Sequence, residues 1–228
     1  MNILAIDTSN DVLGLAVVKD GVVSGELMTN VKKNHSVRLM PAIDQLMRDT
    51  QTKPAELDRI AVAHGPGSYT GVRIGLTTAK TMAWSLHIPV IGISSLEAMA
   101  SQGQLFEGLI CPFFDARRGL VYTGLYDHNM EVIKEEANVL MTDWLSSLKE
   151  MEESVLFVSQ DLILHEDVIK ECLGEKAVCP GAGYHYPRPS YLGLAAINKE
   201  PGSLHELVPN YLRLPEAEAK WLAQQEKQ

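Results

Sequence analysis

The stretch best placed to hold an anion is Gly65-Pro66-Gly67-Ser68-Tyr69-Thr70-Gly71-Val72-Arg73-Ile74-Gly75. It leaves the apolar run Arg59–Ala63, turns on glycines and enters a segment of helical pattern running to Leu86. Backbone N–H groups collected at a helix N-terminus stabilise negative charge. The glycine spacing is GxGxxxG, however, which is neither the dinucleotide fingerprint nor a GxxxxGK[ST] loop. As residues alone, Gly65, Gly67 and Ser68 fit two descriptions. One is a vestigial phosphate loop. The other is a strand-to-helix connection that needs glycine for its turn and for close packing.

Asp7-Thr8-Ser9 closes the first apolar run, Ile3–Ile6. Two-lobed phosphotransferases place an acidic residue and a hydroxyl there, near a nucleotide phosphate and its metal. A polar turn tied by side chain to backbone uses the same residues. Asp115-Ala116-Arg117-Arg118-Gly119 occupies the corresponding place in the second half. Its two guanidinium groups fit an external anion, or ion pairs with a surface of opposite sign. Elsewhere the chemistry is thin. The seven histidines fall at no HxxH, HxxxH or HExxH spacing, so none pairs with another on a helix to ligate a metal. There is no GxSxG elbow. Cys111, Cys172 and Cys179 form no CxxC, which argues against a disulfide scaffold or a four-cysteine zinc site. No catalytic and no metal-ligating residue is assigned.

These segments need elements to hold them. Ile3–Ile6, Val12–Val18 and Val22–Met28, the latter two joined by Asp20-Gly21, read as a three-stranded meander. Leu39, Ile43 and Leu46 then follow helical spacing after a cap at Ser36, with Pro41 disturbing the first turns. Strands at Arg59–Ala63 and Val90–Ile93 flank a long helix from Gly71, and Ser94 opens another helix. The order then starts again: strands at Leu109–Phe114, Leu120–Tyr126 and Glu131–Glu136, a helix capped by Thr142, a strand at Val155–Val158, and a helix over Leu162–Cys172. A short strand Ala177–Cys179, a helix over Ser190–Asn198 and a charged helix over Glu216–Gln225 complete the chain. A β-β-β-α-β-α-β-α unit thus occurs twice, the second time faintly, and predicts two similar lobes around a cleft.

Composition narrows the function. Lys+Arg 20 against Asp+Glu 29 gives a net charge of −9, which disfavours tight, direct binding of RNA by this chain alone. Hydrophobic residues at 46% and charged residues at 21% are those of a folded globular chain. No apolar run is long enough to span a bilayer, Asp7 and Asp11 interrupt any leader-like opening, and a cytoplasmic protein is expected.

GPGSYTGVRIG, together with the opening ILAIDTS, resembles the TsaB family of bacterial tRNA threonylcarbamoyladenosine biosynthesis proteins, formerly grouped with glycoprotease-like proteins. His35-Ser36 through Pro41, Asp115–Tyr122 and Pro209-Asn210-Tyr211-Leu212-Arg213 agree with it. The resemblance covers nearly the whole chain. It implies an α/β fold of the actin, hexokinase and Hsp70 type (ASKHA, ribonuclease H-like), each lobe a mixed sheet with flanking helices. The expected division is a first lobe over 1–104, a reduced second lobe over 105–212 and a helical tail over 213–228.

The resemblance also implies a part in the formation of N6-threonylcarbamoyladenosine at position 37 of tRNAs reading codons that begin with A. The family's role is that of a non-catalytic scaffold for TsaD, the transferase, and TsaE, an ATPase, with the threonylcarbamoyl adenylate supplied by TsaC. His35 stands where the catalytic relative begins its metal-binding helix, and Leu39 stands where a second imidazole would be needed. No cofactor is expected on this chain alone; ATP or ADP and a divalent metal belong to TsaD and TsaE. tRNA is reached only through the complex. The partner surface is expected on the helices after Ser36 and Gly71, at His35, Leu39, Ile43, Met47, Gly71, Arg73, Gly75 and Ala79, and the same surface should form a homodimer when TsaD is absent. Its basis is the Gly71–Gly75–Ala79 stripe, which admits a second backbone, and more apolar side chains than one core stripe requires. Asp7, Thr8, Ser9, Gly65, Gly67, Ser68, Arg117 and Arg118 are carried as vestigial phosphate loops. A small-molecule kinase, a metallopeptidase of the same fold and a freestanding tRNA-binding module are the competing readings.

Overall fold

The computed structural model describes residues 1–31 and 34–213. Strands β1 (Asn2–Asp7), β2 (Val12–Lys19) and β3 (Val22–Asn30) form the opening meander. Asp20 and Gly21 both take left-handed angles, φ 49° and 79°, as a two-residue hairpin of matching twist requires. Helix α1 (His35–Asp49), strand β4 (Arg59–Ala63), helix α2 (Tyr69–Leu86), strand β5 (Val90–Ile93) and helix α3 (Ser95–Ala100) follow. The sheet order is β3-β2-β1-β4-β5, with β1, β4 and β5 parallel and the meander antiparallel.

The second unit repeats this plan with β6 (Leu109–Asp115), β7 (Leu120–Tyr126), β8 (Val132–Leu140), α4 (Met141–Leu148), β9 (Val155–Val158), α5 (Leu162–Leu173) and β10 (Ala177–Val178). Its sheet runs β10-β9-β6-β7-β8, the same order strand for strand. The predicted duplication is therefore real at the level of topology.

Alternation along β1 and β2 divides the first core in two, because successive side chains leave a strand on opposite faces. Leu4, Ile6, Leu13, Leu15 and Val17 meet Leu39, Ile43, Leu46 and Met47 of α1 and Leu76, Ala79 and Ala83 of α2. Ile3, Ala5, Ala16 and Val18 face the other way, toward α6 (Pro189–Ala195), where Leu192 and Ala196 close the layer. Glu26 of β3 holds α6 in place: its carboxylate accepts the Ser190 N–H at 2.9 Å and the Ser190 hydroxyl at 2.7 Å, and pairs with Arg188.

This placement corrects the expected division into 105–212 and a tail. The chain crosses to the second lobe near residue 105, but α6 and the segment after it return to the first. Leu204 and Leu207 pack against the α1–α2 layer, Lys80 donates to the Leu207 carbonyl at 2.8 Å, and the Asn210 N–H donates to the His64 carbonyl at 2.7 Å. Other corrections are local. Asn34, not Ser36, caps α1, its side chain accepting the Ser36 N–H at 3.2 Å. The helix runs unbroken through Pro41. Helix α2 begins at Tyr69, two residues before the predicted start, with Ser68 as its cap, and α4 begins at Met141 rather than behind a Thr142 cap. The helix read over Glu216–Gln225 lies outside the described residues.

Candidate functional site: the interlobe cleft and the outer face of α1 and α2

The turn after β1 is a sealed unit. Asp7, Thr8, Ser9 and Asn10 are all buried. Asp7 Oδ1 accepts the Ser9 N–H at 2.8 Å and the Ser9 hydroxyl at 2.7 Å. Burial pushes the Asp7 carboxyl above the usual carboxylate range, against the pull of these two donors. Thr8 Oγ1 donates to the Gly71 carbonyl at 2.7 Å, which ties the turn to the first turn of α2.

The glycine loop closes on that turn. The Ser68 N–H donates to the Ser9 carbonyl at 2.6 Å, and a Cβ on Gly67 would lie 2.2 Å from that same oxygen. At Gly71 an added Cβ would stand 2.1 Å from the Thr8 carbonyl oxygen, and at Gly75 2.5 Å from Thr8 Oγ1. Gly65 has a left-handed φ of 104° and sits against the Asn210 carbonyl. The glycines thus serve backbone-to-backbone packing between β1, its turn and α2.

This geometry corrects the expected partner surface. The approach admitted by Gly71, Gly75 and Ala79 is already filled by the chain's own Thr8 and β1. Leu39, Ile43 and Met47 are core residues at 5% exposure or less. Of the eight residues named, Arg73 is exposed and His35 half-buried, with His35 Nε2 2.9 Å from the Asn10 carbonyl. Arg73 lies over the Tyr69 ring at 4.1 Å and donates from Nε to the Tyr211 hydroxyl at 2.8 Å, while Tyr69 and Tyr211 stack at 5.5 Å. The helices do carry an exposed apolar face, made by other residues: Val37, Met40, Tyr69 and Trp84. Between α1 and α2 lies a groove of about 440 Å³ lined by Met40, Pro54, Thr78, Thr81, Met82 and Leu86 among others, none of them charged.

A polar cleft of about 510 Å³ separates the lobes. It joins Asn10, Asp11, Gly67, Ser68 and Thr70 of the first lobe to Asp115, Arg117, Gln160 and Asp161 of the second. Arg117 and Arg118 hold left-handed angles, φ 67° and 58°, in the β6–β7 turn, where the Arg117 N–H donates to Asp115 Oδ2 at 3.0 Å. Arg117 lines the cleft; Arg118 is exposed and does not.

Several residues were missed by sequence reasoning. His165 on α5, 9% exposed, lies with Nε2 3.0 Å from Asp115 Oδ1, and its ring meets Phe113 edge-on. Asp161 accepts the Asp115 N–H at 2.9 Å, and burial raises its carboxyl above the ordinary range. These residues lie about 50 positions apart, so no local spacing marks them. Among the described residues, no group of three or more His, Cys, Asp or Glu is arranged to hold a metal ion.

The model of the TsaD family, tRNA N6-adenosine threonylcarbamoyltransferase, matches residues 25–221. The TsaB protein of Bacillus subtilis is 52% identical over 228 residues, covering 99% of this chain and all of that protein. The chain belongs to the TsaB family of tRNA threonylcarbamoyladenosine biosynthesis proteins. A transferase of Treponema pallidum, named for N6-adenosine threonylcarbamoyl transfer, is 33% identical over 129 residues, or 50% of this chain and 37% of that protein. The TsaB family is therefore akin in sequence to the transferase itself. YeaZ from Pseudomonas aeruginosa shares the fold, with a TM-score of 0.76, 23% identity and coverage of 92% of this chain and 99% of that one. Each of the two lobes is a mixed sheet with flanking helices, as the α/β reading expected. No helix among the described residues is long and apolar enough to cross a membrane.

Proposed function

We propose that this chain is a non-catalytic subunit required for N6-threonylcarbamoyladenosine formation at position 37 of tRNAs reading A-starting codons. It acts by binding TsaD and TsaE, downstream of the adenylate-forming TsaC. One observation carries the reading: where the resemblance to the transferase calls for a second imidazole, this chain has an apolar core residue. Leu39 sits in the core one helical turn after His35, and the His35 ring lies against the Asn10 carbonyl. A lone imidazole does not make a catalytic metal centre.

The cleft supports the same assignment of cofactors. Asp11, Asp115 and Asp161 line it opposite a single arginine, Arg117, and carboxylates repel a triphosphate. ATP or ADP and the divalent metal accordingly belong to TsaD and TsaE. The exposed face of α1 and α2 is the docking surface for TsaD and, in its absence, for a second copy of the chain, because a self-complementary apolar patch gives a twofold dimer most readily. With a net charge of −9, tRNA is reached through the complex, in the cytoplasm.

The test is a modification assay with purified components. Threonylcarbamoyl adenylate and tRNA should yield no product with this chain alone. Product should form when TsaD and TsaE are added, and fall away when this chain is left out. Turnover by the isolated chain, free of contaminating transferase, overturns the scaffold reading and favours an enzyme of the same fold.

A further inference from the structure

The segment that returns over the first lobe is firmly anchored at one point and lightly held beyond it. Leu204 and Leu207 pack against the α1–α2 layer. Past them, Val208 is 62% exposed and Tyr211 37%. The backbone there is pinned at His64: the Asn210 N–H donates to the His64 carbonyl at 2.7 Å, and His64 Nδ1 lies 3.3 Å from the Val208 carbonyl. Gly65, with its left-handed φ of 104°, makes the seat, since a Cβ on it would lie 2.9 Å from the Asn210 carbonyl oxygen. Segments with little buried apolar surface open at low cost.

Two consecutive side chains of this segment grip different parts of the molecule. The Asn210 side-chain amide donates to Glu136 of β8 at 3.1 Å, on the second lobe. Asn210 thereby walls a pocket of about 440 Å³ at the lobe junction, together with Ser94, Glu97, Tyr126, Glu136 and Lys199 among others. Tyr211 reaches the start of α2 instead, where it stacks on Tyr69 at 5.5 Å and accepts from Arg73 Nε at 2.8 Å.

We infer that residues 208–211 form a clip whose two grips open together, so that freeing Tyr211 from Arg73 also frees Asn210 from Glu136 and unseals the junction pocket. Adjacent Cα atoms are about 3.8 Å apart, so neither residue leaves its seat without pulling on the other. What opens is the edge of the junction. Ser94 and Tyr126 still donate to Glu136, and the packing of Leu96 and Met99 against Phe114 and Leu156 still joins the lobes. A coupling of this kind is reciprocal. It does not depend on the proposed function. Taken with that function, a partner seated on Tyr69 and Arg73 would act on the lobe junction through the clip.

Nuclear magnetic resonance of the full-length 15N-labelled chain tests this with two reporters, the Asn210 amides and the Arg73 Nε–H. Arg73→Ala leaves Glu136 untouched, yet should move the Asn210 side-chain amide toward its free position. It should also speed exchange of the Asn210 backbone amide about fivefold or more, the lower end of ordinary allosteric coupling. Glu136→Ala leaves Arg73 and Tyr211 untouched, yet should speed exchange of the Arg73 Nε–H to a similar degree. Amides of β1 and β4 should exchange as in the unsubstituted chain. An effect in one direction only, or in neither, overturns the inference. A rise in β1 and β4 as large as that at Asn210 overturns it too, because the variant has then loosened the whole lobe.

Discussion

Asp7 and Glu26, two carboxylates of the first lobe, hold structure in different ways. The two donors of Ser9 converge on Asp7 in a site sealed from water, so Asp7→Ala leaves both without an acceptor. We expect a stability loss of about 1–3 kcal/mol in denaturant unfolding, and much less for Asp7→Asn, which keeps an acceptor oxygen. Calorimetry should show no ATP binding that Asp7→Ala abolishes; micromolar binding lost in that variant would restore a kinase-like role. Glu26 behaves differently. Burial raises its carboxyl, but Arg188 and the two donors of Ser190 outweigh that and hold it below the ordinary range. Its folded-state pKa is thus depressed. The stability it contributes is fully present above about pH 4.5, the ordinary glutamate range, and is lost as pH falls through the folded value. Glu26→Gln should lower stability near neutral pH and flatten that acid-side decline, read as the midpoint of thermal unfolding against pH.

At the scale of elements, α2 has an inner and an outer face with opposite tolerances. Its inner stripe is pressed on the β1 turn. Gly75→Leu forces a side chain into Thr8 Oγ1, and overpacking of this kind should cost about 3 kcal/mol or more, seen as loss of the folded signal at ordinary temperature. On the outer face Thr81→Arg should leave stability within about 0.5 kcal/mol, since the site is exposed. If this face is the docking surface proposed above, the same variant should weaken capture of TsaD and keep the chain monomeric on a sizing column. Retention of wild-type capture by Thr81→Arg would move the docking surface elsewhere. The two variants separate damage to the fold from damage to an interface, which Gly75→Leu alone does not.

For the whole molecule, the lobes meet through an apolar cluster, in which Leu96, Met99 and Ala100 of α3 pack with Ile110, Phe114, Tyr126, Leu156 and Val158 of the second sheet, and polar contacts are added at its edge. One carboxylate, Glu136 of β8, gathers three donors: the Ser94 hydroxyl at the start of α3, the Tyr126 hydroxyl at 2.8 Å and the Asn210 side-chain amide at 3.1 Å. Ser94 belongs to the first lobe, Tyr126 to the second, and Asn210 to the segment that returns. Glu136→Ala should release all three. We expect faster amide exchange at the start of α3 and around Asn210, with the core of each sheet unchanged, and a larger radius of gyration in solution scattering. If exchange rises evenly throughout both lobes, Glu136 supports global stability rather than the lobe angle.

Tight turns and apolar spacing are local signals, so the order of strands and helices over the described residues could be read along the chain. Asp20-Gly21 marked its hairpin, and Leu39, Ile43 and Leu46 marked a helix face. The runs Ile3–Ile6 and Val12–Val18 are continuously apolar because helices cover both faces of the first sheet, as a doubly covered sheet demands. The family, too, was legible, in GPGSYTGVRIG. Tertiary structure alone decided what each apolar or small residue faces. Gly71, Gly75 and Ala79 make a stripe that would suit a partner helix or the chain's own strand equally well, and only the position of Thr8 shows which. The return of α6 to the first lobe rests on Glu26 meeting Ser190, 164 residues away, and the His165–Asp115 pair spans 50. Contacts of that separation leave no periodic trace, since nothing in the intervening chain has to match either partner.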